Sequence, residues 1–321
     1  MRLTSVLSPL STANLRLASQ CGVTDIVTRY PGPRLDDLVR VKETAGSQGL
    51  RLSVVEGHLP IERIKLGADH DGQEMAALKQ LIRHMGRAKV PILCYNFMPG
   101  TDWVRTRLDL RERGGALVTG FDLDQVESAV SLSETTKIIP EQTIDSDALW
   151  NNLKNMLKEL VPLAEENGVD LALHPDDPPL SDFQGKARIM GSVESFERQL
   201  NLVPSAHNGI CFCQGTFSAM GVDLENAIGR LGPGIRYVHF RDLRGTAESF
   251  VETFHDNGPT DMLATMRAYR EAGLDVPIRP DHVPQLEGEE EGEPGYTMLG
   301  RLFAFGYIRA LIQATEQNTR A

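Results

Sequence analysis

The alternation of short apolar segments with amphipathic segments is the feature that most constrains how this chain can fold. Eight apolar segments are rich in Val, Ile or Leu and bounded by Gly or Pro, as buried parallel strands are. They span residues 2–7, 24–30, 50–57, 90–97, 169–175, 209–215, 235–242 and 276–281. Because helical patterns lie between most of them, the alternation predicts an α/β protein, a single (β/α)8 TIM barrel over residues 1–321.

The predicted helices carry apolar residues at helical spacing, with recognisable end signals. The clearest patterns lie at 71–88, 149–168, 192–203 and 260–273. Ser192 is a favoured N-cap residue, and Gly273 suits the position just after a helix C-terminus. These signals predict where the helices begin and end.

Residues 98–148 are long for one connection between a strand and the next helix. We predict that they form an inserted excursion over the active face of the barrel. The competing architecture is an open doubly wound sheet. No G-x-G-x-x-G motif follows the first strand, so a dinucleotide fingerprint of that fold is absent from the sequence.

Composition excludes several classes of protein. The 321 residues are 41% hydrophobic and 24% charged, with a formal net charge of −11, which disfavours nucleic-acid binding. The sequence has no apolar run long enough to cross a membrane and no signal-peptide pattern, so we expect no membrane association. Four cysteines do not make a disulfide scaffold, and a cytoplasmic protein is expected.

Four predicted strands in succession carry a metal-binding type of residue near their carboxyl ends. These residues are His174, Cys213, His239 and Asp281. Strand ends of a barrel meet at one mouth, and imidazole, thiolate and carboxylate all bind divalent transition metals. Alternation places Cys211 and Cys213 on the same face, and the later residue lies nearer the mouth. The pattern therefore favours Cys213 as the ligand and Cys211 as a core residue.

Structural roles for these four residues are the alternative to metal binding. Spacing alone does not decide between the two interpretations. A single histidine near a strand end is more often part of the core than a ligand, and a cysteine in an apolar strand often acts as a small hydrophobic residue. Five other histidines are predicted to have surface or capping roles. They are His58, His70, His84, His207 and His255.

Several motifs together resemble the mannonate dehydratase family. They are ILCYNFMPGTDWVRT (92–106), LALHPDDPP (171–179), CFCQGT (211–216), VHFRD (238–242), IRPDH (278–282) and PGY (294–296). The resemblance implies a metal-dependent (β/α)8 barrel similar to the xylose-isomerase-like barrels. It also implies a lyase that dehydrates D-mannonate to 2-keto-3-deoxy-D-gluconate in hexuronate (glucuronate) catabolism.

The resemblance also implies roles for individual residues. It places one divalent cation per chain, Mn2+ or Fe2+, on the same four strand-end residues. A thiolate ligand by itself favours Fe2+ or Zn2+, since sulfur is a soft donor. His282 and Tyr296 take the acid and base roles, and which of them is the acid stays open.

Further polar residues are candidates for contacts with a sugar-acid substrate. We expect Asn96, Arg241 and Arg279 to bind the substrate. Asp176 and Asp177 would orient the metal ligands, with helix capping or loop salt bridges as the equal alternative. As partners we expect a small sugar acid and further copies of this chain, in a dimer or larger homo-oligomer.

Two departures from the family pattern bear on specificity. The first strand reads TSVLSP (4–9) where family members resemble WRWYGP, and Val283 replaces the glycine of RPDHG. The alternatives are therefore a dehydratase of a related aldonate or a metal-dependent sugar isomerase or epimerase, and Cys213 argues against the latter. Asp102, Trp103 and Arg105 are expected to cover the site.

Overall fold

Eight parallel strands close into a barrel, which confirms the predicted fold. The computed structural model describes residues 1–100, 103–132 and 143–317. The barrel strands are Arg2–Val6, Asp25–Thr28, Arg51–Glu56, Ile92–Tyr95, Asp170–Leu173, Asn208–Cys213, Ile235–Phe240 and Pro277–Pro280. The first strand pairs with the eighth, with Arg2 opposite Pro277 and Leu3 opposite Ile278, so the sheet has no free edge.

Helices cover the outside of the barrel. Among the described residues their bounds are Thr12–Gln20, Leu35–Gly46, Glu62–Lys65, Gln73–Ala88, Ser146–Asn167, Val193–Leu202, Gln214–Ala219, Leu224–Leu231, Met262–Glu271 and Met298–Gln317. Ser192 caps its helix as predicted, because its side chain accepts a hydrogen bond from the Ser195 amide at 3.1 Å. Gly273 follows its helix at φ +71°, the left-handed conformation that glycine adopts without strain. Within the described part of the chain, no helix has the length and apolar character needed to cross a membrane.

Two apolar layers hold the fold together. The larger layer lies between the barrel and its helices; in the helix Ser146–Asn167 it takes Leu149, Leu153 and Leu157, each fully buried. Burying one such side chain contributes roughly 1.5–3 kcal/mol. The smaller layer fills the barrel interior with inward-facing residues of all but the eighth strand. The barrel interior is thus a packed core.

The predicted insertion forms an antiparallel sheet over the mouth. Its strands Arg107–Arg111 and Leu117–Asp122 pair with each other, and the second of them pairs with Ser249–Glu252, which follows the seventh barrel strand. Sequence reasoning did not anticipate this contribution from a second loop. The next helix begins at Ser146, two residues before the predicted end of the insertion. Asp102 lies outside the described residues.

Candidate active site

Three of the four predicted metal ligands form a tight buried cluster at the mouth. One ligand atom each from His174, Cys213 and His239 lies within 4.8 Å of the others. Asp281 adjoins two of them, with its Oδ2 atom 3.8 Å from Cys213 Sγ and 3.6 Å from His239 Nδ1. All four side chains are at most 2% exposed. The structure therefore brings together the set predicted from the strand ends.

The two histidines of the cluster each leave one ring nitrogen without a hydrogen bond. His174 Nδ1 lies 2.7 Å from the carbonyl oxygen of Pro175, so this contact orients the ring and leaves Nε2 directed elsewhere. Among the described residues, neither His174 Nε2 nor His239 Nε2 has a hydrogen-bond partner, although the latter lies 3.3 Å from Glu56. Buried polar atoms normally have partners, so these two nitrogens fit a bound cation.

Neighbouring arginines keep the acidic members of the cluster charged. Burial alone raises the pKa of the Cys213 thiol, but Arg241 and His174 outweigh burial and hold this pKa well below its usual value. Burial also raises the pKa of Asp281, but Arg279, His282 and His239 together outweigh burial, so that this pKa too lies well below its usual value. Thiolate and carboxylate are the forms that bind metal, so the donor set suits a divalent transition-metal ion.

His282 and Tyr296 face each other beside the cluster. Their rings meet edge to face with centroids 5.5 Å apart, and Tyr296 Oη lies 3.5 Å from Asp281 Oδ1. His282 has φ +47°, an uncommon backbone conformation that turns the chain just after the eighth strand. Burial lowers the pKa of His282 well below its ordinary value, although Asp281 opposes the shift. The imidazole is therefore neutral near pH 7, in the form that accepts a proton.

Glu56 is a buried acidic residue of this site that sequence reasoning missed. It ends the third barrel strand, where its Oε1 accepts a 2.7 Å hydrogen bond from Arg279 and its Oε2 accepts one of 3.0 Å from Tyr237. Arg279 also donates to Asp281 at 2.6 Å. Arg279 thus bridges the third and eighth strands and holds the Asp281 carboxylate. The signal in the sequence was a lone carboxylate at the end of an otherwise apolar run.

A buried ion-pair network joins the covering sheet to the cluster. Arg105 of the insertion donates to Asp177 at 2.9 Å and to Glu252 at 2.8 Å. Arg241 also pairs with both carboxylates, and its Nε lies 3.3 Å from Cys213 Sγ. Asp177 thus forms buried salt bridges that connect the insertion with the fifth and seventh barrel strands, and its role in orienting the metal ligands stays a prediction.

Replacing Asp177 by Asn is expected to lower the free energy of unfolding by about 3–5 kcal/mol, because it leaves two buried guanidinium groups short of a carboxylate. Burial raises the pKa of Asp177, but Arg105 and Arg241 more than reverse this and hold it below its usual value. The Asp177 contribution is therefore complete above the unfolded-state pKa of about 3.9, and it is lost as the pH falls toward the lower folded value. Urea denaturation followed by circular dichroism measures both effects.

The exposed pair of Arg107 and Asp109 supplies the control for this experiment. Asp109→Asn is expected to change the free energy of unfolding by less than about 1 kcal/mol, since solvent screens an exposed pair. If Asp177→Asn and Asp109→Asn lowered the free energy of unfolding by the same amount, this result would contradict the stabilising role of the buried network.

Three further predicted residues lie around the cluster. Asn96 accepts a hydrogen bond from the buried Lys65 at 2.8 Å and lines a cavity of about 260 Å³ at the ends of the second to fourth strands. Asp176 accepts from the Met190 amide at 2.6 Å, and burial raises its pKa to about 6. Trp103 meets the His174 ring edge to face at 5.9 Å, so it covers the site as expected.

His255 shows where the sequence reading was wrong. A surface or capping role was expected, but this residue is 1% exposed, and its Nε2 lies 2.8 Å from the carbonyl oxygen of Phe240. The loop that carries it folds back onto the end of the seventh barrel strand, which the sequence did not indicate.

The fold and this cluster define the class: a single (β/α)8 barrel with a buried group of metal-binding side chains at the carboxyl ends of its strands. The family model described as D-mannonate dehydratase (UxuA) matches residues 7–321. The chain belongs to the D-mannonate dehydratase family. Members of this family are metal-dependent hydro-lyases.

Individual relatives agree with this assignment. The chain is 35% identical to mannonate dehydratase of Oceanobacillus iheyensis and 34% identical to that of Thermotoga maritima, in each case over 88% of this chain and 86% of the relative. The crystal structure of mannonate dehydratase from Streptococcus suis superposes with a TM-score of 0.89 at 30% identity, covering 99% of this chain and 96% of that one. A D-tagatose 3-epimerase-like protein, at 13% identity and a TM-score of 0.64, shares the fold.

Proposed function

We propose that this protein dehydrates D-mannonate to 2-keto-3-deoxy-D-gluconate, as a step of hexuronate catabolism. The observation that carries the proposal is the buried cluster of His174, Cys213 and His239 with His282 and Tyr296 beside it. Family membership supports the same reaction.

The cluster and Asp281 would together hold one divalent cation, for which we propose Mn2+ or Fe2+. When bound, such a cation offsets the negative charge that develops on the substrate carboxylate as the adjacent carbon loses its proton. Arg241 and Arg279 support this arrangement, because each contacts Asp281, at 3.2 Å and 2.6 Å respectively.

Dehydration of a sugar acid requires two proton transfers on neighbouring carbons. The base takes a proton from the carbon next to the carboxylate, the hydroxyl group on the following carbon takes a proton from the acid and leaves as water, and the resulting enol tautomerises to the 2-keto acid. His282 and Tyr296 are the side chains that we assign to these transfers. Their contact supports the assignment, since the neutral imidazole and the phenol both adjoin Asp281, at 3.8 Å and 3.5 Å respectively.

The substrate's remaining hydroxyl groups need polar partners near the mouth. We propose that Asn96 binds them, because it lines a cavity at the ends of the second to fourth strands, and the fourth strand pairs with the fifth, which leads to His174. A substrate-binding role for Arg241 and Arg279 stays a prediction. Both are 1% exposed and paired with carboxylates, which also supports a role in holding Asp281.

A related aldonate is the second candidate substrate. Val6 of the first strand, whose sequence departs from the family pattern, belongs to the same interior apolar cluster as Tyr296. Val283 is buried, and its amide donates to the carbonyl oxygen of Gly295, next to Tyr296. Both departures from the family pattern therefore lie where they would alter contacts with the substrate.

Incubating the metal-free protein with a panel of aldonates, each with Mn2+, Fe2+ or no metal, tests the proposal. We expect a 2-keto-3-deoxy acid from D-mannonate only when a cation is added. Product from another aldonate alone would favour the second candidate. The absence of product from every aldonate with every metal would overturn the lyase assignment.

The cytoplasmic location and the homo-oligomer of two or more chains stay predictions. Light scattering coupled to size-exclusion chromatography measures the oligomeric state. A mass equal to the 35.4 kDa chain would contradict the homo-oligomer.

A further inference from the structure

Two cysteines lie inside the barrel, below the cluster at its mouth. Cys94 belongs to the fourth barrel strand and Cys211 to the sixth, and both face the interior. In a (β/α)8 barrel, alternate strands contribute the side chains of one interior layer, so these two positions meet. They are 1% and 0% exposed, and both are free thiols.

These thiols approach His239 from within the barrel. One ligand atom each from Cys94, Cys211 and His239 lies within 4.8 Å of the others. His239 Nε2 is buried and, in the described ranges of the chain, has no hydrogen-bond partner. The Glu56 carboxylate lies 3.3 Å from that nitrogen and is itself paired with Arg279. The same imidazole thus adjoins the sulfur of Cys213 at the mouth and the two sulfurs of Cys94 and Cys211 inside the barrel.

We propose that Cys94, Cys211 and His239 form an inner binding site for a thiophilic divalent cation such as Zn2+ or Cd2+. Two thiolates and an imidazole are typical zinc ligands, and soft sulfur donors select such ions over Mn2+. On binding, each thiol loses its proton to solvent as its sulfur bonds to the cation.

The inner site shares His239 with the cluster of His174, Cys213 and His239 at the mouth, which we call the outer cluster. An ion at the inner site would therefore change the ligands available to the outer cluster. An ion held by Cys94 and Cys211 engages the imidazole that the outer cluster needs, so the outer cluster would keep only His174, Cys213 and Asp281. Thiophilic cations would therefore inactivate the protein from inside the barrel. This inference does not depend on which aldonate the protein uses.

Titration of the metal-free protein with Cd2+ tests the inner site. The ultraviolet thiolate-to-cadmium charge-transfer band, measured per bound ion, counts the sulfur ligands. The half-exposed Cys21 is first replaced by Ser, so that it does not contribute. We expect a two-thiolate band in this parent and in its Cys213→Ser variant, and about half that intensity after Cys94→Ala. A band that survives Cys94→Ala unchanged, or that disappears in Cys213→Ser, would overturn the proposal.

Cadmium NMR of the unsubstituted protein provides a readout that needs no variant. The chemical shift of bound cadmium depends strongly on how many sulfur atoms coordinate it. A resonance typical of two sulfur ligands supports the inner site, whereas one typical of a single sulfur places the ion with Cys213 and overturns the inner site.

Discussion

His282→Asn is expected to lower kcat by about 10²–10⁴-fold while the protein keeps its bound cation. The substitution removes a buried, neutral imidazole that faces Tyr296, and it leaves the side chains of the metal cluster in place. Steady-state kinetics with D-mannonate, together with metal analysis of the purified variant, measure the two quantities. Loss of the cation in this variant would mean that His282 acts through the metal site instead.

Tyr296→Phe is the variant to be compared with His282→Asn. The pH profiles of these two variants decide which of the two residues is the base. Because the pKa of His282 is lowered, this group is neutral near pH 7 and becomes protonated only at lower pH. If His282 is the base, the acid limb of the kcat/KM profile belongs to it and disappears in His282→Asn. Unchanged profiles in both variants would contradict the assignment of proton transfer to this pair.

Cys213→Ser is expected to weaken binding of the functional cation by more than about 100-fold, and activity should fall with it. Replacing only the hydrogen-bond partner of a ligand typically weakens binding about 10–100-fold, and the serine hydroxyl is not ionised near neutral pH. Equilibrium dialysis against Mn2+ or Fe2+ gives the change in affinity.

Cys21→Ser is the control for Cys213→Ser, because Cys21 lies far from the mouth, at the end of the first helix. It should leave metal affinity and activity unchanged. Full metal occupancy in Cys213→Ser would show that Cys213 is not a ligand.

The barrel was predictable because its strands are buried on both faces. Such strands appear in a sequence as short apolar runs, and each of the eight predicted runs overlaps one observed barrel strand. Their predicted ends were less accurate: the run 24–30 contains the four-residue strand Asp25–Thr28. Pairing of this strand ends at Thr28, opposite Val55, although the predicted run continues to residue 30, so composition alone does not mark where a strand stops.

The metal cluster was predictable for a different reason. His174, Cys213, His239 and Asp281 stand at equivalent ends of successive strands, and a closed barrel brings such positions together whatever the connecting loops do. Glu56, by contrast, belongs to the third strand, on the other side of the barrel. Its contact with His239 depends on side chains that reach across the mouth.

Strand order and the chemistry at strand ends could therefore be read from the sequence, because both follow from local periodicity and from the geometry of a closed parallel sheet. The partners of those residues came only from tertiary packing. Arg105 meets Asp177 and Glu252, and Cys94 meets Cys211, across sequence separations that no local pattern encodes. Buried charged and polar groups are stable only when they are paired with one another. Only the tertiary structure determines which groups, distant in the sequence, become partners.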